Sequence, residues 1–158
     1  MITAVDTSVL LDVLTNDPVN GTPSLSALRA AAAIGQLVVC TIVWAELAGS
    51  FDDPQLMDRS FAEAHIAFDP FDQACTDLAG AHWRAYRRRG GSRTRLIADF
   101  FIGAHAQRRG DRLVTRDRGF YRRYFTDLQI IDGSELCVEL AERWNDYDDK
   151  RLRLPCLR

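Results

Sequence analysis

One lysine, Lys150, and three histidines are all that 158 residues contain of those two types. Each scarcity excludes a chemistry. Phosphoaspartate enzymes of the doubly wound class need a lysine beside the strand-end aspartate, and Lys150 lies far from any such position. The G-x-x-x-x-G-K pattern of a P-loop is missing, and so is G-x-G-x-x-G. His65, His82 and His105 lack H-E-x-x-H spacing, which disfavours a zinc hydrolase. They read as surface or packing residues on helices. Cys40, Cys75, Cys137 and Cys156 form no C-x-x-C pair, and their scatter in mostly apolar company predicts reduced thiols in a cytoplasmic protein. No apolar run approaches the ~20 residues of a membrane span. The first residues enter a strand directly, without the zones of a signal peptide.

What is present is arginine, unevenly spread. Residues 1–80 hold two bases against eleven acids, a net −9. Residues 81–158 hold eighteen bases against eleven acids, a net +7. Thirteen arginines fall between Arg84 and Arg123, facing only Asp99, Asp111 and Asp117. Arginine grips phosphate with a planar fork and stacks on bases, so such a stretch suits a polyanion. A solvated helix face in an arginine-biased sequence would look the same.

Hydrophobic patterning alternates short strands with helices. Ile2–Val5, Leu37–Thr41, Arg112–Thr115 and Leu128–Ile131 read as strands, with Ala67–Pro70 as a short edge strand. Thr7–Leu14, Ser24–Gly35, Ile42–Ser50, a stretch from Pro54 to about Ile66, Asp72–Arg88, Leu96–Arg108 and Arg118–Tyr124 read as helices. This alternation predicts an α/β fold: a short parallel central sheet with helices on both faces, in three layers. Residues 1–133 form the domain. Residues 134–158 form a C-terminal helix and tail, with Leu136, Leu140 and Trp144 at helical spacing. Lys150–Pro155 reads as a solvated tail.

Four acids punctuate these elements. Asp6 ends the first strand, Asp117 follows the strand Arg112–Thr115, Glu46 lies in the helix after Leu37–Thr41, and Asp99 opens the helix Leu96–Arg108. All four fall on the carboxyl edge of a parallel sheet, where ligands of open α/β sheets bind. Carboxylates held together stay ionised only if a cation compensates them. A divalent-metal site follows, and an all-oxygen donor set suits Mg²⁺ or Mn²⁺. Each acid also has a plainer reading. Asp6 and Asp117 could cap the helices that follow them, Asp99 could complement a helix dipole, and Glu46 could belong to a polar helix face. Gly103, one turn after Asp99, would let another element approach closely.

Asp6-Thr7-Ser8, Glu46, Ala98–Ala106 and Leu113–Tyr121 together resemble a PIN domain, more narrowly a VapC-type ribonuclease toxin of a bacterial toxin–antitoxin pair. The resemblance covers about residues 1–132, in family order. It implies a PIN-like fold and a metal-dependent endoribonuclease, usually a homodimer, held inactive by a small antitoxin. By position, Asp6, Glu46 and Asp99 would be the principal ligands of Mg²⁺ or Mn²⁺. Asp117 would hold a second ion or orient the attacking water, and Ser8 and Thr115 would be supporting hydroxyls. RNA as substrate rests on this resemblance. With it, Arg87, Arg88, Arg89, Arg93 and Arg95 around Gly90-Gly91-Ser92, with Arg116, Arg118, Arg122 and Arg123, are expected to guide the RNA backbone. A housekeeping RNA-processing nuclease and a non-catalytic binding module of the same fold are the alternatives. Members of this kind often stop soon after the last strand, whereas this chain continues through Ser134–Arg158.

Overall fold

The computed structural model describes residues 1–92, 97–117, 119–131 and Leu154. Five strands, β1 (Ile2–Val5), β2 (Gln36–Val39), β3 (Ile66–Phe68), β4 (Arg112–Val114) and β5 (Gln129–Ile131), form one sheet. Every pairing is parallel, in the order β3-β2-β1-β4-β5. The helices are α1 (Thr7–Leu14), α2 (Gly21–Ile34), α3 (Thr41–Ala48), α4 (Pro54–Glu63), α5 (Gln73–Arg88), α6 (Ala98–Arg109) and α7 (Phe120–Tyr124).

The order encodes a reversal. The chain steps outward from β1 to β2 and β3, then returns past β1 to lay down β4 and β5. Parallel crossovers are right-handed, so the reversal puts α5, α6 and α7 on the opposite face from α1 to α4. The expected three-layer α/β/α architecture follows. Strands covered on both faces run largely apolar, and Ala4, Val5, Leu37, Val38, Val39, Leu113 and Val114 are all buried, while the buried polar residues Thr3 and Arg112 bond to each other. Leu10, Leu14 and Leu28 fill one side, and Phe100, Tyr121 and Phe125 belong to the same continuous core. Phe125 lies against Gly103, where a Cβ would collide with its ring. The close approach foreseen at Gly103 is therefore made by a side chain.

Several boundaries differ from the sequence reading. Thr41 opens α3 instead of ending β2, and α2 begins at Gly21, ahead of Ser24. α7 begins at Phe120, and Arg118 lies outside the described residues. His65 is not helical. It follows the C-cap of α4 with φ 54°, the left-handed turn that releases the chain into β3. The helix expected over 134–144 also lies outside the described residues. Leu154 packs, partly buried, against the core, so the tail is not solvated throughout.

Candidate active site

The reversal creates a topological switch point between β1 and β4, where the connections leave in opposite directions and open a crevice. Asp6 is the first residue beyond β1 and Thr115 the first beyond β4. The Asp6 N–H donates to the Val114 carbonyl at 3.0 Å, which holds the two chain segments side by side. The Thr115 hydroxyl donates to Asp6 Oδ2 at 2.6 Å, and Ser8 Oγ donates to the same oxygen at 2.8 Å. Asp6 occupies the N-cap position of α1 but makes no side-chain capping bond. The missing bond goes against the capping reading.

Asp6 is only 8% exposed. Burial pushes its carboxyl pKa up. The bonds from Thr115, Ser8 and the Thr7 backbone pull it down, and the charge of Asp99 adds to the rise. Desolvation wins. Three donors do not replace the water this carboxylate has lost.

Asp6, Glu46, Asp99 and Asp117 come from four separate stretches of chain and line one open cleft of about 680 Å³. Thr7, Ser8, Leu11, Ile102, Arg116 and Tyr121 complete its walls. Glu46 projects from the exposed side of α3, where the Thr7 hydroxyl donates to its Oε2. Asp99 sits half-buried in the first turn of α6, at the positive end of the helix dipole. The N-cap of α7 is Gly119, not Asp117, yet Asp117 holds the turn that leads into that helix. Asp117 Oδ1 accepts from the backbone N–H of Gly119 at 2.9 Å and of Phe120 at 2.6 Å, which starts α7. The Asp117 N–H in turn donates to the Thr115 hydroxyl at 3.0 Å. Thr115 thus receives from one acid's backbone and gives to another acid's side chain. Holding this turn and lining the cleft are compatible at Asp117.

Tyr121 was not foreseen. It is almost fully buried, yet it lines the cleft. Burial, followed by the charges of Asp6, Asp99 and Asp117, drives its phenol strongly upward. It therefore stays protonated, a neutral donor among acids. The signal was present in sequence, since Tyr121 closes the Leu113–Tyr121 block that carries the resemblance.

The arginines divide. Arg116 lines the cleft. Arg87, at the end of α5, donates to the Gly91 carbonyl and so braces the turn after its own helix. Arg88 and Arg89 are exposed there, and Arg122 and Arg123 are exposed on α7. The two groups are neighbours, because Tyr86 of α5 packs edge-on against Tyr124 of α7 with ring centroids 5.5 Å apart. Arg93, Arg95 and Arg118 lie outside the described residues.

His105 and His82 are packing residues, as expected. His82 lies against the Phe125 ring. His105 is buried in α6 with Nε2 3.1 Å from Asp69 Oδ2. Arg109 grips the same carboxylate with both Nε and Nη2, tying the β3–α5 connection to α6. No histidine or cysteine lines the cleft among the described residues.

A model of the PIN domain matches residues 3–126. This chain belongs to the PIN domain family. The matched stretch contains all four cleft acids. Solved structures agree with the fold. A chain of VapBC2 from Rickettsia felis, bound to a DNA fragment from its promoter, superposes with a TM-score of 0.65 at 19% identity, covering 83% of this chain and 98% of that one. VapBC-1 from nontypeable Haemophilus influenzae gives 0.65 at 19% identity, covering 85% and 100%. A toxin–antitoxin complex from Klebsiella pneumoniae gives 0.58 at 18% identity, covering 83% and 97%. Among curated proteins none matches the sequence.

The PIN cleft offers only oxygen donors, carboxylate and hydroxyl, with Asp6 desolvated and under-compensated. That set fits a hard divalent ion. Among the described residues no three of His, Cys, Asp or Glu close around a single point. The acids ring the cleft instead, a spacing suited to an ion that keeps several waters and takes one or two carboxylates directly. No helix among the described residues is long and apolar enough to cross a membrane.

Proposed function

We propose that this PIN protein is a metal-dependent endoribonuclease that hydrolyses RNA phosphodiester bonds, and that it acts as the VapC-type toxin of a toxin–antitoxin pair. One observation carries the nuclease reading. Four acids from four elements line a single cleft at the switch point, and the most buried of them, Asp6, is held by hydroxyls rather than by a base. Support for the toxin reading comes from the structures of like fold, which are VapBC proteins and a toxin–antitoxin complex.

In this reading Asp6, Glu46 and Asp99 hold Mg²⁺ or Mn²⁺, with Asp117 for a second ion or the attacking water. A bound divalent ion makes hydroxide available near neutral pH and stabilises charge on the phosphate. The chain's own residues do the rest. Ser8 and Thr115 aim Asp6 Oδ2, Thr7 aims Glu46, and Tyr121 gives a neutral hydrogen-bond donor where negative charge accumulates. The exposed arginines of α5 and α7 offer the RNA backbone a positive flank, so affinity should fall steeply with salt. A small cognate antitoxin, a homodimer and a cytoplasmic setting belong to the same proposal. So does a division into a nuclease domain over 1–133 and a C-terminal helix and tail over 134–158.

The deciding experiment is cleavage of total RNA by the purified chain with Mn²⁺ or Mg²⁺, against EDTA and against an Asp6→Asn, Asp99→Asn double variant. Cleavage that needs both the ion and the acids is expected. A folded, metal-binding, antitoxin-free protein that cuts no RNA would sink the enzymatic reading and leave a binding module.

A further inference from the structure

Among the described residues lining the cleft, Arg116 is the only base. A ring of acids attracts cations and repels a phosphodiester, so any positive group inside it decides where the phosphate sits. Arg116 stands between Thr115 and Asp117, beside the groups already assigned to the chemistry.

Its side chain is held from behind. Arg116 Nε lies 2.9 Å from Oδ2 of Asp12, a residue of α1 with no place in the cleft wall. Asp12 is 3% exposed, whereas the Arg116 side chain is 47% exposed. Ser24 of α2 donates its hydroxyl to the same Asp12 oxygen at 2.6 Å. A buried carboxylate needs compensation, so α1 and α2 together create an anchor that draws one arginine down from the cleft. The anchor takes hold at Nε, the inner nitrogen. The outer edge of the guanidinium, with two terminal nitrogens, is the edge suited to a bidentate grip on phosphate.

We propose that Asp12 is a positioning residue that fixes Arg116 as the phosphate-binding arm of the cleft, with Ser24 setting the orientation of Asp12. The inference rests on the nuclease reading and names how the RNA phosphate is seated. Preorganisation is the gain, since a long side chain ordered before binding loses less freedom when phosphate arrives.

The test measures binding of a short fluorescein-labelled single-stranded RNA in Ca²⁺ by anisotropy. Cleavage at saturating RNA in Mn²⁺ is measured in parallel on the full chain. Variants are Arg116→Gln, Asp12→Asn, their combination, and Ser24→Ala, the mildest for folding. Losing one charge-assisted phosphate contact corresponds to about tenfold, so Arg116→Gln should weaken binding by about that factor and flatten the salt slope by about one. Asp12→Asn should weaken binding by about three- to tenfold and Ser24→Ala by about twofold, with kcat nearly unchanged in both. The double variant should be no worse than Arg116→Gln alone, because Asp12 acts only through the arginine. A folded Asp12→Asn or Ser24→Ala protein that binds RNA as the wild type does, or a double variant whose losses multiply, overturns the proposal and makes Asp12 a clamp between helices. Wild-type cleavage alongside that result leaves the nuclease reading standing. A wild type that neither binds nor cleaves RNA takes both down.

Discussion

Replacing Asp6 by asparagine should stabilise the protein while abolishing its response to metal. The carboxylate is 8% exposed, and the loss of hydration outweighs the bonds from Thr115, Ser8 and the Thr7 backbone. Asparagine keeps the shape and one carbonyl oxygen able to accept from the Thr115 and Ser8 hydroxyls. It removes the charge and its repulsion with Asp99. Relief of one under-compensated buried polar group is worth about 1–2 kcal/mol. For a domain of this size that shifts Tm by roughly 3–6 °C. The sign with pH follows from the raised pKa. An acid that is harder to ionise when folded destabilises the fold once it is ionised. That penalty is full above the folded-state pKa and vanishes below the ordinary aspartate value of 3.8. The advantage of Asp6→Asn should therefore be greatest near pH 7–8 in EDTA and disappear toward pH 3. Saturating Mn²⁺ should raise the wild-type Tm, by about 2.7 kcal/mol of stability at one hundred times Kd, and leave the variant unmoved. Thermal denaturation followed by circular dichroism across pH, with and without metal, reads all of this. A variant less stable than wild type in EDTA at pH 7.5 would refute the reasoning, because Asp6 would then be a structural hub and not a charge waiting for a cation.

Three further outcomes are expected. Thr115→Val removes the donor to Asp6 and the acceptor for the Asp117 N–H, so cleavage should fall at least about tenfold with a stability loss of about 1–2 kcal/mol; wild-type kinetics would contradict the relay. Asp69→Asn should cost about 1 kcal/mol at pH 7, because the Arg109 grip holds the Asp69 pKa below its usual value. The wild-type advantage is present above the unfolded pKa and lost as pH falls through the lower, folded one. Urea curves for the two proteins should therefore converge below about pH 4. Cys40 is buried, and burial pushes its thiol up to about 11, so it should resist iodoacetamide at pH 8 until the protein unfolds; mass-mapped labelling of Cys40 in the folded chain would contradict its burial.

Much of this was legible because backbone physics is local. Asp6, Thr115 and Asp117 were placed by two strand ends, and β-branched runs such as Val38-Val39 mark strands unambiguously. The parallel sheet followed from alternation alone. The chain reversal that makes the switch point is not local. It depends on β4 choosing β1 over β3 as its neighbour, and nothing in Arg112–Val114 announces that choice. Boundaries failed where a turn competed with a propensity. Thr41 suits a strand, yet it opens α3, and its hydroxyl accepts the Phe71 N–H from the neighbouring connection.

The candidate site shows the same division more sharply. Acids are legible because an ionisable residue at the end of an apolar run conflicts with its surroundings, and such conflict marks function. Asp12 conflicts just as strongly, sitting between Leu11 and Val13 in an apolar helix, but nothing near it in sequence says what would compensate it. Asp12 is buried in the fold, and among the described residues Arg116, just beyond β4, is the base that pairs with it. The partner lies 104 positions away in sequence, and no periodicity links the two. Asp6, just before α1, and Asp12, within it, thus illustrate two fates of a buried carboxylate. Asp12 has been given an arginine, so its charge is settled within the fold. Asp6 has been given hydroxyls, which orient a carboxylate without neutralising it. A fold that supplies a base to one buried acid and withholds it from its neighbour leaves the second with charge to offer. That difference, more than the number of acids in the cleft, is what points to a cation there.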